Sequence, residues 1–284
     1  MNIQWFPGHM MKTQRMMKEN IRLIDIVLEL VDARLPLSSR NPKIDEIVGD
    51  KPRLILLNKA DIADSIVTGE WEDYFQKKGI PTLTISSTGN KKLNFIFSKC
   101  KEILADKIEK QKERGITNAS VKIIVVGVPN VGKSSLINKL SGRKSAITGD
   151  RPGVTRGKQW IRLDNGIELL DTPGILWPKF EDDMVGKKLA FTGAIKDEIM
   201  DIEELACELL SFLRENYPEN LCNRYKMKDI ENLTPYEMLT LLGKNRGFVV
   251  SGGEIDTERA ANILLDEFRG AKLGNISLER PSDF

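Results

Sequence analysis

The chain has 284 residues, of which 40% are hydrophobic and 30% charged, and a net charge of only +2. That is ordinary globular composition, with room for one full α/β domain plus a smaller partner or for one large domain. Three scattered cysteines, Cys100, Cys207 and Cys222, exclude a cysteine metal site, and their odd number excludes a complete disulfide framework.

In chain order, short β-branched runs alternate with helical stretches, the pattern of a parallel sheet covered by helices. Strands are predicted at Asp25–Val31, Arg53–Leu57, Thr82–Ile85, Lys122–Val126, Gln159–Leu163 and Ile167–Leu170. The turn Asp164-Asn165-Gly166 is a hairpin signal that should pair the last two. Helices are predicted at Lys12–Ile24, Trp71–Lys78, Leu93–Arg114 and Lys133–Leu140. After Pro178 strand signals fade. Asp201–Asn216 has helical period, Thr234-Pro235 opens a further helix, and Asp256–Gly270 closes on the glycine a helix C-terminus favours. The predicted fold class is α/β, with residues 1–177 forming the sheet domain and 178–284 a small helical domain.

Charge divides along the same line. Residues 1–177 carry 29 Lys/Arg against 20 Asp/Glu, and residues 178–284 carry 14 against 21. A basic front and an acidic tail suggest a polyanion-facing first domain, the alternative being two solvated surfaces of unlike composition. No apolar run approaches bilayer length, and the N-terminus lacks the apolar core and cleavage site of a signal peptide. A cytoplasmic, reduced protein with no membrane partner is expected.

Gly127–Ser134 reads GVPNVGKS, between the strand KIIVV and the helix SLINKL, which fits a phosphate loop. Glycines let backbone N–H groups close around phosphates, and the helix N-terminus adds positive potential. Lys133 would reach the β- and γ-phosphates, and Ser134 would give its hydroxyl to Mg²⁺. Asp171–Gly174 reads DTPG after the strand IELL, placing a carboxylate for water-mediated Mg²⁺ contact and the Gly174 N–H for the γ-phosphate.

Asn58–Asp61 reads NKAD after the strand RLILL. The Asp61 carboxylate can accept two hydrogen bonds from guanine's ring N–H and exocyclic amine, donors that adenine does not present there. Lys59 would pack along the base and Asn58 would tie the loop to neighbouring backbone. Ser86-Ser87-Thr88 follows a strand and either contacts the guanine carbonyl or is a plain turn. Thr155, in RPGVT, stands where a Mg²⁺-coordinating switch threonine belongs, with Thr148 as a rival.

The order NKAD, SST, GVPNVGKS, PGVT, DTPG resembles circularly permuted GTPases, in which base-recognition motifs come first. WFPGHM (Trp5–Met10), VDARLP (Val31–Pro36) and the tail segment Gly186–Asp197 resemble the bacterial ribosome biogenesis GTPase A family, also called YlqF. The resemblance implies GTP hydrolysis to GDP, with Mg²⁺, in late assembly of the large ribosomal subunit. The particle or its precursor would be the partner of a monomeric chain. A regulatory GTPase signalling through a protein partner of the helical tail is the alternative. The nucleotide would be lined by Asn58, Lys59, Ala60, Asp61, Ser86, Ser87, Asn130, Val131, Gly132, Lys133, Ser134, Ser135, Thr155 and Gly174. Ser134, Thr155 and Asp171 would hold Mg²⁺. Asn130 matches the position at which related GTPases help bind K⁺.

Catalysis leaves a gap, because Ile175 follows the DTPG glycine where Ras-type enzymes carry a water-orienting glutamine. His9 is the sole histidine and lies in the family's N-terminal motif. It is the candidate to position water, the alternative being a structural or exposed side chain. Basic residues gather at Lys139, Arg143, Lys144, Arg151, Arg156, Lys158 and Arg162, and on one helical face at Lys12, Arg15, Lys18 and Arg22. Both groups suit RNA phosphates, or are simply solvated.

Overall fold

The computed structural model describes residues 8–88, 93–116, 120–142, 159–163, 166–176 and 182–284, without the side chains of residues 8, 9 and 159. Asp182–Ile276 forms one compact unit, and the described residues before it form the other together with Ser277–Phe284. The boundary expected at 177/178 lies outside the described residues. The last eight residues, expected in the helical domain, sit instead with the sheet, because Leu278 and Glu279 are buried there at 2% exposure.

Among the described residues the sheet has six strands, β1 (Ile26–Asp32), β2 (Arg53–Asn58), β3 (Thr82–Thr84), β4 (Val121–Val126), β5 (Gln159–Leu163) and β6 (Ile167–Asp171), in the order β3-β2-β1-β4-β6-β5. All neighbours are parallel except β5 and β6. The chain moves outward from β1 to β3 and then returns to place β4 on the other side of β1. Such a reversal leaves a crevice at the carboxyl ends of the strands, where open α/β sheets take their ligands. In this chain that edge carries Asp32, Asn58, Gly127 and Asp171.

Burial explains the strand sequences. Both faces of β1 are covered, so its residues are continuously buried rather than alternating. Glu29, in its centre, is tolerated because Arg40 and Arg53 reach it at 3.1 and 2.9 Å. Between β1 and β2 lies α2 (Pro42–Val48), which the sequence reading lacked. Its signal is local: Asn41 accepts from the Lys43 N–H, and Pro42 opens the first turn. Helix α3 (Ser65–Lys77) starts six residues before the predicted Trp71, since Asp64 caps the Ile66 and Val67 N–H groups. Trp71 and Phe75 then pack with Val31, Ile55, Leu57 and Val67 beside the sheet.

The helix predicted over Leu93–Arg114 is divided into α4 (Phe95–Ile103) and α5 (Ala105–Glu113). Its apolar stripe ends at Leu104, and α5 buries no residue, so no core contact holds a single axis across the break. Helix α1 (Gly8–Asn20) covers the sheet unit with Met10 and Met17, both fully buried, while α6 (Lys133–Ser141) follows the glycine loop.

The second unit contains α7 (Asp183–Phe191), α8 (Ile202–Asn216), α9 (Pro218–Tyr225), α10 (Pro235–Arg246) and α11 (Thr257–Arg269). Asp182 caps α7 and Pro218 opens α9, two helices not predicted. Thr234 and Glu237 close a capping box at α10. Leucines at positions 205, 209, 210 and 213 of α8 are fully buried against α10 and α11, while Glu267 is held by Arg224 and Arg246.

Phe75→Ala removes a ring that is fully buried in the sheet unit. The expected loss is about 3–5 kcal/mol of unfolding free energy, read from the urea midpoint. An unchanged midpoint would contradict the packing described for α3.

Candidate nucleotide-binding site

The strand register lines up the site. Asp32 at the end of β1 is paired with Asn58 at the end of β2, and Val125 of β4 with Asp171 of β6. The motifs, scattered over more than a hundred residues of sequence, therefore open on one edge.

Asn58 joins three of them. Its Nδ2 donates to the Val131 carbonyl of the glycine loop at 2.7 Å and to Ser87 Oγ at 3.0 Å. The Ser87 N–H donates back to Asn58 Oδ1 at 2.9 Å. Asn58 is fully buried, so each of these bonds replaces one that water would otherwise supply. Gly132 has φ +102°, and a Cβ there would meet Asn58 Nδ2 at 2.3 Å. The second glycine of the motif is thus demanded by the amide behind it as well as by any phosphate in front. Gly127 is fixed by packing too, because its Cβ would stand 2.5 Å from the Leu30 carbonyl oxygen of β1.

The other half of the NKAD loop is open. Ala60 N–H donates to the Ile85 carbonyl at 3.2 Å, which ties this loop to the SST segment. Lys59 has φ +62°, and its Nζ lies 3.1 Å from Asp32 Oδ2. Asp61 is exposed and makes no hydrogen bond among the described residues, leaving both carboxylate oxygens able to accept from a base edge. Ser86 is half-buried, and its carbonyl accepts from Lys139 Nζ at 3.0 Å.

In the phosphate half, Lys133 is buried, its Nζ donating to the carbonyls of Gly127 at 3.2 Å and Val128 at 2.8 Å. Burial pulls its pKa down to about 8, against the opposing pull of Asp171. Burial pushes Asp171 up to about 6, against Lys133 and the Thr172 N–H. Asp171 Oδ1 is buried and has no hydrogen-bond partner. An ammonium and a carboxylate each held in its less comfortable charge state suit a site completed by anionic phosphates and a cation.

Gly174 lies against the glycine loop, where a Cβ would meet Pro129 Cα at 2.7 Å and Lys133 Nζ at 2.8 Å. Asn130 has φ +55°, and Ser134 and Ser135 open α6 half-buried beside Lys133. No group of three or more His, Cys, Asp or Glu side chains gathers as a metal centre among the described residues. A cation here would therefore take its ligands from Asp171, hydroxyls, water and phosphate, the oxygen chemistry that suits Mg²⁺.

Other expected residues are placed differently or fall outside the description. Thr155 and Thr148 lie outside the described residues, as do Arg143, Lys144, Arg151, Arg156 and Lys158. His9 belongs to the first turn of α1, but its side chain is not described. Ile175 is 1% exposed, with its N–H on the Gly127 carbonyl at 3.3 Å, so its side chain is core. Leu176 N–H donates to Met10 Sδ at 3.4 Å, which brings the start of α1 beside the residue two past Gly174.

VDARLP, in the sequence only a mark of resemblance, carries chemistry of its own. Asp32 accepts from Arg34 Nε at 2.9 Å and Nη2 at 2.8 Å, both residues being buried. Burial alone would raise the Asp32 pKa, but Arg34 and Lys59 outweigh it and hold the carboxyl well below its ordinary range. The alternation of carboxylate and guanidinium two residues apart at a strand end was the available signal.

The chain is similar to known proteins along its whole length. A family model described as "50S ribosome-binding GTPase" matches residues 122–239. A protein named "Ribosome biogenesis GTPase A" from Bacillus licheniformis is 51% identical over 286 residues, covering 100% of both chains. One of the same name from Thermotoga maritima is 33% identical, covering 99% of this chain and 95% of its own. Among solved structures, a GDP-bound YlqF has a TM-score of 0.66 at 30% identity, covering 95% of this chain and 100% of that one. GNP-bound YlqF from T. maritima has 0.65 at 29%, covering 96% and 100%.

Asn58→Ala strands the Val131 carbonyl and the Ser87 N–H in a buried place. Guanine-nucleotide affinity is expected to fall about 10–100-fold by calorimetry, the equivalent of one or two unsatisfied buried groups. Wild-type affinity in a folded variant would show that the three loops hold their places without the amide.

Proposed function

The chain belongs to the ribosome biogenesis GTPase A family, and from that premise we propose that it assists a late step in assembly of the large ribosomal subunit, binds the particle and leaves it on GTP hydrolysis. It is a GTP hydrolase with a P-loop GTPase fold. The observation that carries the site reading is the convergence of the NKAD, SST and glycine loops on Asn58.

In this reading Asp61 selects guanine, Lys59 lies along the base, and Ala60, Ser86 and Ser87 complete the base pocket. Asn130, Val131, Gly132, Lys133, Ser134 and Ser135 surround the phosphates, and Gly174 meets the terminal one. Ser134, Thr155 and, through water, Asp171 hold Mg²⁺, which neutralises charge on the phosphate oxygens. Asn130 contributes to a K⁺ beside them. Lys133 leaves its carbonyl partners for phosphate oxygens, since a dianionic ligand offsets burial better than two carbonyls do. An apolar Ile175 turned into the core cannot orient water. His9 takes that part, supported by the approach of α1 to Leu176.

Support for a ribosomal particle comes from α1 and the turn after it. Lys12, Arg15, Lys18 and Arg22 are all exposed, while Met10, Met17 and Ile24 are fully buried. A helix so divided offers a row of cations to RNA phosphates and gives affinity without reading sequence. No described helix is long and apolar enough to cross a membrane. The free protein in this proposal is a cytoplasmic monomer, its helical domain taking part in particle contact.

GTPase assays with and without purified large subunits or their precursors test the proposal. Stimulation by the particle is expected, and co-sedimentation should weaken steeply with salt. In the same assay His9→Ala should keep GTP affinity while stimulated turnover falls by about 10²–10⁴. Untouched stimulated turnover would mean that water is oriented from elsewhere.

Asp61→Asn replaces an acceptor with a donor, which matches the carbonyl that xanthine presents in place of guanine's amine. Preference should move from GTP toward xanthosine triphosphate in competition binding. Unchanged GTP affinity would remove the guanine assignment.

A further inference from the structure

The segment Ser277–Phe284 returns from the helical unit and is fastened to the sheet unit through polar contacts rather than by apolar packing alone. The Leu278 N–H donates to the Arg34 carbonyl at 2.6 Å. Glu279 Oε1 accepts from the N–H groups of Leu37 at 2.5 Å and Ser38 at 3.1 Å, and its Oε2 accepts from the Ser38 hydroxyl at 2.6 Å. The Glu279 carbonyl accepts from Trp71 Nε1 at 3.1 Å, and Ser277 Oγ accepts from the Asp64 N–H at 3.2 Å. Arg280 pairs with Glu70, and the Phe284 ring lies 6.1 Å from that of Trp71.

These attachment points are not spread at random over the unit. Arg34, Leu37 and Ser38 form the turn after β1, and Asp64 stands three residues beyond Asp61 in the base-binding loop. Arg34 is the fork that grips Asp32, and Asp32 in turn pairs with Lys59 at 3.1 Å. The Leu278 N–H meets the Arg34 backbone carbonyl, the Arg34 side chain grips Asp32 and Asp32 meets Lys59, while Glu279 holds the same turn three and four residues on, at Leu37 and Ser38. Lys59 needs such support, because its backbone is in the left-handed region that a residue with a Cβ adopts only when its surroundings hold it there.

We propose that Ser277–Phe284 is a positioning strap for the base-binding loop, and that its docking sets the dwell time of a bound guanine nucleotide by holding Lys59 through Arg34 and Asp32. The inference rests on the guanine reading of this site. Glu279 touches no nucleotide in this scheme and acts through the turn it holds. Lifting the strap removes the Leu278 and Glu279 bonds, loosens the turn that carries Arg34, and leaves Asp32, the carboxylate that meets Lys59, less firmly held.

The test is dissociation of fluorescent GDP from the full chain by stopped flow, with thermal unfolding alongside. Glu279→Ala should release GDP about tenfold faster, the rate equivalent of one charge-assisted hydrogen bond. Glu279→Gln keeps an acceptor for the two backbone N–H groups and should return the rate to within about twofold of wild type. In a Lys59→Met background, Glu279→Ala should add less than about twofold, since the residue it acts through is gone. Should Glu279→Ala fail to fold, Ser38→Ala removes only the hydroxyl from Oε2 and should speed release about threefold. A lower melting temperature with unchanged GDP release would overturn the proposal, as would a tenfold effect that persists without Lys59. A wild-type chain that binds no labelled GDP would remove the guanine assignment itself, and the strap's proposed role with it.

Discussion

One buried amide holds the site together. Asn58 gives both hydrogens and its carbonyl oxygen to groups on two other segments, Ser87 and the glycine-loop residue Val131. The contact is long-range by necessity, because the three segments leave three different strands. The arrangement also explains how the motif order can be permuted without loss of the site. What the chemistry requires is that the carboxyl ends of β2, β3 and β4 lie on one edge, with β1 between β2 and β4. Parallel pairing supplies that edge whichever strand comes first in the chain. Gly132 records the constraint in the sequence, since its missing Cβ is the space that Asn58 occupies.

The acids at that edge divide by how their charge is met. Asp32 has a bidentate guanidinium and an ammonium against it, and its ionised form is favoured despite complete burial. Asp171 sits at an equivalent strand end, with one oxygen lacking any hydrogen-bond partner and its pKa raised to about 6. The first carboxylate is met within the chain, whereas the second suits a further ligand. Lys133 shows the same incompleteness with opposite sign, its pKa pulled to about 8 although its Nζ has two carbonyl partners. A buried cation and a buried anion that do not fully answer each other's need suit an added anion and cation.

Much of this was legible in the sequence, and the rest was not for identifiable reasons. The strands were readable because both faces of a parallel sheet are covered, which makes continuous apolar runs such as KIIVV. GVPNVGKS and NKAD were readable because each motif places its chemistry at a strand end. Helices α2 and α9 have only seven and eight residues, too few to repeat an apolar stripe, and their cap signals at Asn41-Pro42 and Pro218 carry little weight alone. Gly69 obscured the first turns of α3, although Asp64 stood in front of them. The return of Ser277–Phe284 had no local signal at all. A glutamate that ends up 2% exposed looks in sequence like any surface acid, because its partners Leu37 and Ser38 are about 240 residues away.

Permutation has a consequence for how the two units are joined. The helical unit is entered after the DTPG segment and left at Ile276, directly before Ser277. One covalent connection therefore departs from the DTPG motif. The other arrives at the turn that supports Lys59. In an unpermuted chain the strand after DTPG would be one like β1, and the γ-phosphate motif would lead straight back into the sheet. Here the same cut that leads the chain from DTPG into the helical unit also makes β1 the first strand, and the turn at its end receives the returning C-terminus. The Asp32–Arg34 pair then has two duties, to neutralise a buried carboxylate and to pass the strap's position to the base-binding loop. A single rearrangement of chain order thus puts the helical unit in covalent series with both the DTPG segment and the turn after β1.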